Sequence, residues 1–271
     1  MNSIRAIIGA GALLVASGTA GIAADLYGGR GSIKDDYASA PAPVGNRCGA
    51  WYARVDGGYS SMDKPSITQA GVDDLLQPNI KDSWTVGGGF GRYLSCNIRA
   101  DVTYDHRFNS DVTGFNGNVF SPANGNQKFS LSNDVVLFNA YYDFDMRSRF
   151  TPYIGVGLGF THNSVGSGSG LVAATGPNPG SALTIASNSS WHAAAALMTG
   201  VSVALRDRLT LDTGYRFLYL GNAKSGDAID SFGGNAGPNS VNELHAHEFR
   251  VGLRYELGGG SNCCAAAVPL K

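Results

Sequence analysis

Within residues 244–257 the chain alternates strictly from Glu248 onward: Phe249, Val251, Leu253, Tyr255 and Leu257 share one parity, while Glu248, Arg250, Gly252, Arg254 and Glu256 share the other. A period of two describes a β-strand with an apolar face and a charged face. Wound as a helix, the same residues would scatter their apolar groups around the axis. Segments 50–60, 82–93, 97–108, 130–144, 151–163, 190–205 and 208–220 repeat the pattern, with residues such as Val102, Phe138, Leu158 and Leu197 on the apolar parity. The connections alternate as well. Those at 94–96, 145–150 and 206–207 are short, and those at 61–81, 109–129, 164–189 and 221–243 are long.

Short turns at one end and long loops at the other, on an even number of strands, are the plan of a bacterial outer-membrane barrel. The expectation is an all-β, eight-stranded antiparallel up-and-down transmembrane β-barrel with short periplasmic turns and four long extracellular loops, in which 244–257 closes on 50–60. Strands longer than the ~9 to 11 residues that cross a bilayer project beyond it. Aromatics near strand ends, among them Trp51, Trp84, Tyr93, Phe108, Phe144, Tyr219 and Tyr255, fit girdles at the two membrane surfaces. A soluble lipocalin-like barrel would instead turn these stripes inward, into a cavity too small for them.

The ends of the chain add compartment. Residues 1–24 hold Arg5, an apolar run and a small-residue stretch, the pattern of a secretory signal peptide. A flexible periplasmic extension at 25–49, the barrel at 50–257 and a C-terminal tail at 258–271 complete the expected organisation. A formal net charge of −1 gives no basic footprint for nucleic acid, and 38 glycines without a collagen period suit strands and turns.

If the apolar parity meets lipid, the other parity fills the lumen. It carries Arg54, Asp56, Arg99, Asp101, Asp105, Asp143, Asp212, Arg216, Glu248, Arg250, Arg254 and Glu256. About eight strands enclose only enough space for side chains, so these charges are expected to pair into an Arg–carboxylate network that plugs the centre, with a narrow gated ion path as the alternative. Glycines on the inward parity, Gly87, Gly89, Gly155, Gly157 and Gly159, leave room for long side chains opposite.

Several stretches then carry a resemblance: WYARVDGGYS, WTVGGGFGRYLSCNIRADVTYDHR, FNAYYDFDMRSRFTPYIGVGLGF, LTLDTGYRFLYLG and HEFRVGLRYEL. From residue 51 to 257 the chain resembles the small outer-membrane β-barrels that include OmpA-like barrels and the opacity-type immunogenic surface antigens of Gram-negative bacteria, often labelled porins. The resemblance implies an integral surface protein that contributes to envelope integrity and displays its loops. Its partners would be outer-membrane lipid and lipopolysaccharide, the outer-membrane assembly machinery, and host or surface ligands met through the loops.

Other candidate chemistry is sparse. His162 and Ser164 stand two apart, as in a barrel-type lipid A modifying enzyme, yet no acidic residue follows before Ser202. His245 and His247 share a strand face but are too few to define a metal site. GVGLGF and GGGFGR lack the helix that a dinucleotide loop requires, and no cofactor is expected. Lys64, Lys81, Arg107, Lys128 and Lys224 are candidate rim contacts for lipopolysaccharide phosphates. Cys48, Cys96, Cys263 and Cys264 would all face the oxidising periplasm; a Cys48–Cys96 bridge is sterically sensible, with free thiols in the tail as the alternative. The functional expectation is a non-enzymatic structural barrel and surface antigen, against a narrow-pore porin or a lipid A modifying enzyme.

Overall fold

The computed structural model describes residues 48–69, 75–116, 125–146, 148–172 and 178–258. The predicted signal peptide, most of the extension, and the tail beyond Gly258, with Cys263 and Cys264, lie outside them. Among the described residues the strands are β1 (Trp51–Met62), β2 (Ser66–Gln69), β3 (Leu76–Ile80), β4 (Ser83–Tyr93), β5 (Ile98–Asn116), β6 (Gly125–Asp143) and β7 (Phe150–Val165). They continue with β8 (Gly168–Leu171), β9 (Ala182–Ile185), β10 (Asn188–Arg206), β11 (Leu209–Tyr219), β12 (Ala223–Asp230), β13 (Asn235–Asn242) and β14 (His245–Gly258).

Eight of these close a barrel. Antiparallel pairing runs β1–β4–β5–β6–β7–β10–β11–β14 and returns from β14 to β1, where Ser60 faces Glu248 and Val55 faces Leu253. Closure leaves no backbone edge to be satisfied by lipid. Outward, Val55, Val86, Phe90, Phe138, Leu158, Leu197 and Val251 are all about half exposed or more, a wall of apolar side chains with no protein against them. Only hydrocarbon solvates such a wall without cost.

The four long connections are not loops over most of their length. β7 passes into β8 through a kink at 166–167, β9 into β10 at 186–187, β11 into β12 at 220–222, β13 into β14 at 243–244, β1 into β2 at 63–65 and β3 into β4 at 81–82. β5 carries a register shift between Arg107 and Ser110, while β6 runs on unbroken. Above these kinks the pairing continues as β3–β5–β6–β8–β9–β12–β13–β2, and the Leu75 amide donates to the Ile67 carbonyl at 2.9 Å to join the two ends. A second tier of wall therefore stands on the first, and the two meet at a waist of kinks. β5 and β6, each 19 residues, pass through both tiers. At ~3.3 Å per residue they run roughly 60 Å, about twice a hydrocarbon core of ~30 Å.

The waist is built by special backbone. Glu243 takes a φ of 53° and Gly221 a φ of 67°. The Leu244 amide donates to the Gly221 carbonyl, the Leu220 amide to the Leu244 carbonyl, both at 2.8 Å, and the Glu243 amide to Asn222 Oδ1 at 2.9 Å. Thus the β11–β12 and β13–β14 bends lock together.

Inside the upper part, apolar side chains surround the buried amides of Gln69, Gln127 and Asn239, which hydrogen-bond in a chain. Ile67, Val112, Phe129, Leu131, Val165, Ile185, Leu218, Leu220, Val241 and Leu244 form one buried apolar cluster. Below it the lumen is charged.

Candidate functional site

The charged lumen is the candidate site, and it is assembled by parity. On β5 every inward position from Arg99 to Arg107 faces the axis, and Arg99, Asp101, Asp105 and Arg107 are all buried. Arg107, a predicted rim cation, is thereby corrected: at 2 % exposure it points into the lumen, donating to Glu248 Oε1 on β14 and to Asn133 Oδ1 on β6 at 3.4 Å. Its parity with Arg99, Asp101 and Asp105 was the available signal.

Three connected groups fill the lumen. Nearest the waist, Arg216 on β11 donates to Glu248 and Asp105, both at 2.6 Å, and Arg250 on β14 reaches Asp105 at 2.5 Å and Asp56 at 3.6 Å. In the middle, Arg54 pairs with Asp56 at 2.6 Å and Asp101 at 3.3 Å, and Tyr52 and Asn139 donate to the same Asp101 at 3.0 and 2.8 Å. Towards the periplasmic end, Arg99 donates to both oxygens of Asp143 at 3.1 Å, while Arg254 lies 3.3 Å from Asp212, which also accepts from Ser202 at 2.6 Å. Glu256 is buried beside them. With Arg107 included, six guanidinium groups face seven carboxylates. Buried charges persist only when paired in this way.

Rings complete the packing. Arg99 stacks 3.9 Å from the centroid of Tyr141 and 4.9 Å from that of Tyr153, and Arg254 lies 5.4 Å from Tyr52 and 5.7 Å from Tyr93. Tyr93, predicted for an interfacial girdle, is thus a buried lumen residue. Glycines make this density sterically feasible: a Cβ on Gly155 would come within 2.5 Å of the Tyr141 ring, and one on Gly200 within 2.6 Å of the Tyr153 hydroxyl. One cavity among the described residues, lined by Arg54, Asp56, Thr103, Asn139, Arg216 and Arg250, holds about 20 Å³. That is room for about one water.

A membrane wall around a charge-paired lumen can be set beside known proteins. The family model described as "Opacity family porin protein" matches residues 89–257. The chain belongs to the opacity family of porin proteins. This opacity-family barrel is 29% identical, over 90% of its length and 95% of the relative's, to an uncharacterized protein of Brucella abortus. It is 24% identical to the outer membrane protein P.IIC of Neisseria gonorrhoeae, over 65% of this chain and 67% of that one. Among solved structures, the outer membrane protein OprG of Pseudomonas aeruginosa aligns with a TM-score of 0.48 at 12% identity, covering 78% of this chain and 98% of that one. The opacity-family chain is a protein of the Gram-negative outer membrane.

The predicted rim lysines of this opacity-family barrel lie at or above the waist. Lys81 and Lys128 converge on Asp111, at 2.9 and 3.2 Å, and their hydrogen bonds hold its carboxyl below the ordinary range; Lys64 and Lys224 are exposed. Cys48 and Cys96 are both disulfide-bonded. Ser164 Oγ lies 3.4 Å from His162 Nδ1, and Asp134, supplied by β6, lies 4.0 Å from the same nitrogen. A serine relay needs the acid and the hydroxyl on opposite ring nitrogens, so this trio is not one. His245 and His247 face outward on β14, and no group of His, Cys, Asp and Glu among the described residues has the makings of a metal site.

Proposed function

We propose that this chain is a structural outer-membrane barrel and surface antigen, which contributes to envelope integrity and displays its extracellular tier, without catalysis and without a wide pore. One observation supports this reading above the others: the interior is filled along its length, by paired charges below and by apolar side chains and hydrogen-bonded amides above. An aqueous channel of useful width belongs to barrels of about sixteen strands, not eight. On this reading the partners are outer-membrane lipid and the assembly machinery, with the exposed Lys64, Lys81, Lys128 and Lys224 available to lipopolysaccharide phosphates. Planar-bilayer recording tests it. The expected result is little or no steady conductance; large, stable steps would overturn the plug and favour the porin alternative.

A further inference from the structure

Four of the five histidines in the sequence sit on the outward face just below the waist, in two clusters of like composition. The first spans β5, β6 and β7. His106 Nδ1 lies 2.7 Å from Asp134 Oδ1, the Tyr104 hydroxyl donates to the same oxygen at 2.7 Å, and His162 Nδ1 lies 4.0 Å from Asp134 Oδ2. Phe108 and Trp191 flank it, their rings 5.1 Å from His106 and 4.8 Å from His162. The second lies where β14 meets β1 and β11. His247 Nε2 is 3.3 Å from Asp63 Oδ2, the Tyr215 hydroxyl is 2.6 Å from His247 Nδ1, and His245 stacks on Phe217 at 5.5 Å.

Each cluster holds one carboxylate, two imidazoles, a tyrosine hydroxyl and apolar aromatic rings. In the ring of eight strands, β6 and β14 are four places apart, so the clusters stand on opposite sides of the barrel. Both have the composition of an interfacial girdle, and both lie at the level where the wall leaves lipid. What sets them apart from an ordinary girdle is their charge arithmetic. With its imidazoles neutral each cluster carries −1; with both protonated it carries +1. Histidine is the side chain that makes this change in the range between about pH 5 and 8.

We propose that the two clusters are proton-switched docking sites for the phosphate groups of outer-leaflet glycolipid, repelling them when the imidazoles are neutral and holding them when protonated. The outer-leaflet source follows from placement: the clusters face away from the protein, beside the lipid-facing rows, at the extracellular end of the membrane wall. The neighbouring fixed charges do not share the switch. Lys64 and Glu243 flank the second cluster with opposite signs, and Lys81, Asp111 and Lys128 stand above the first, with Asp82 between, bound to the Tyr59 hydroxyl at 2.9 Å. Lysine and carboxylate side chains ordinarily keep their charge between about pH 5 and 8. The inference rests on the membrane placement of the barrel and is indifferent to whether the lumen conducts.

The full chain in phosphatidylcholine nanodiscs containing dansyl-labelled, phosphorylated lipid A tests the proposal, read as energy transfer from tryptophan at about pH 8 and about pH 5. Transfer should rise roughly five-fold on acidification, the scale of a few partly exposed charge pairs. The rise should vanish with dephosphorylated lipid A and with the variant H106Q/H162Q/H245Q/H247Q. Should that variant not fold, as judged by heat-modifiable migration, H106Q/H162Q and H245Q/H247Q alone are each expected to lose about half the rise. D63N/D134N should bind more tightly than the parent at about pH 5. Transfer that ignores pH, persists without phosphate on the lipid, or survives the histidine substitutions overturns the proposal. Complete displacement by inorganic phosphate would reassign the sites to the free ion and overturn the lipid assignment.

Discussion

Arg107 on β5 donates an Nη2 hydrogen bond to Glu248 Oε1 on β14, across the lumen and over a sequence separation of 141 residues. Glu248 accepts from Arg216 as well, at 2.6 Å, so one fully buried carboxylate is shared by two guanidinium groups. Replacing it with glutamine keeps the shape and removes the charge. Removing one partner of a buried ion pair costs about 3–5 kcal/mol, because the survivors stay buried and unpaired. Glu248→Gln should therefore lower the stability of the refolded barrel by about that much in urea titration in lipid vesicles. The double variant Glu248→Gln/Arg107→Gln, which removes the guanidinium that Glu248→Gln leaves without a carboxylate, should recover part of the loss. A loss below about 1 kcal/mol would mean that water reaches these pairs freely.

Gly221 makes a second test, at the waist. Its φ of 67° is left-handed, and a Cβ there would lie 2.7 Å from His192 Cβ. Gly221→Ala should cost about 1–3 kcal/mol, the scale of a strained left-handed residue, and lower the temperature at which the folded gel band disappears. Gly233, at a φ of 87° in the β12–β13 turn, has nothing within 4 Å of the point a Cβ would occupy, so Gly233→Asn carries the backbone strain without the clash and should lower that temperature less than Gly221→Ala does.

Outside the membrane, Asp230 gives a pH dependence with a definite sign. Its carboxylate accepts from Asn178 Nδ2 at 2.7 Å, from the Gly234 amide at 2.7 Å and from the Phe232 amide at 2.9 Å. These bonds, that of Asn178 foremost, hold its pKa below the ordinary 3.8. A carboxyl whose folded pKa is depressed contributes its full stabilisation above the unfolded value and loses it as pH falls through the folded one. Hydrogen exchange at the Phe232 and Gly234 amides should show constant protection above about pH 4 and declining protection below it, after correction for intrinsic rates. Asp230→Ala should remove both the protection and its pH dependence.

Both described cysteines are oxidised, which predicts their chemistry. Cys48 and Cys96 should resist alkylation in the unfolded but unreduced chain and react after reductant is added. Peptide mapping of the unreduced chain then identifies the partner of each. Alkylation of either residue before reduction would contradict the oxidised state.

The membrane tier was legible because lipid and a charged lumen impose opposite demands on alternate residues, and the 248–257 segment follows that alternation. The upper tier was not. Its strands are short and built of small polar residues, as in β12 with AKSGDAID, β13 with NAGPNSVN and β8 with GSGL. Strand propensity is weak where neighbours rather than side chains decide the pairing, and such stretches read as loops. Below the waist β6 departs from simple alternation: the run Val135, Val136, Leu137 and Phe138 is apolar on both parities, and Val135 and Leu137 are buried inward, level with Asp105 and Thr103 of β5, while Phe138 faces outward. The aromatic and histidine girdle was visible only as separate residues. Asp134 reached His106 and His162 through register between strands, which no local pattern encodes.

The second tier has an immunological consequence. Much of what this protein offers outside the cell is sheet wall, where residues adjacent in space, such as Thr113, Lys128 and Ser169, come from three different strands. An antibody footprint laid across that wall spans distant parts of the chain. Sera raised against synthetic peptides or heat-denatured protein should therefore bind intact bacteria poorly, while sera raised against the refolded barrel should bind them well and lose that reactivity on denaturing blots.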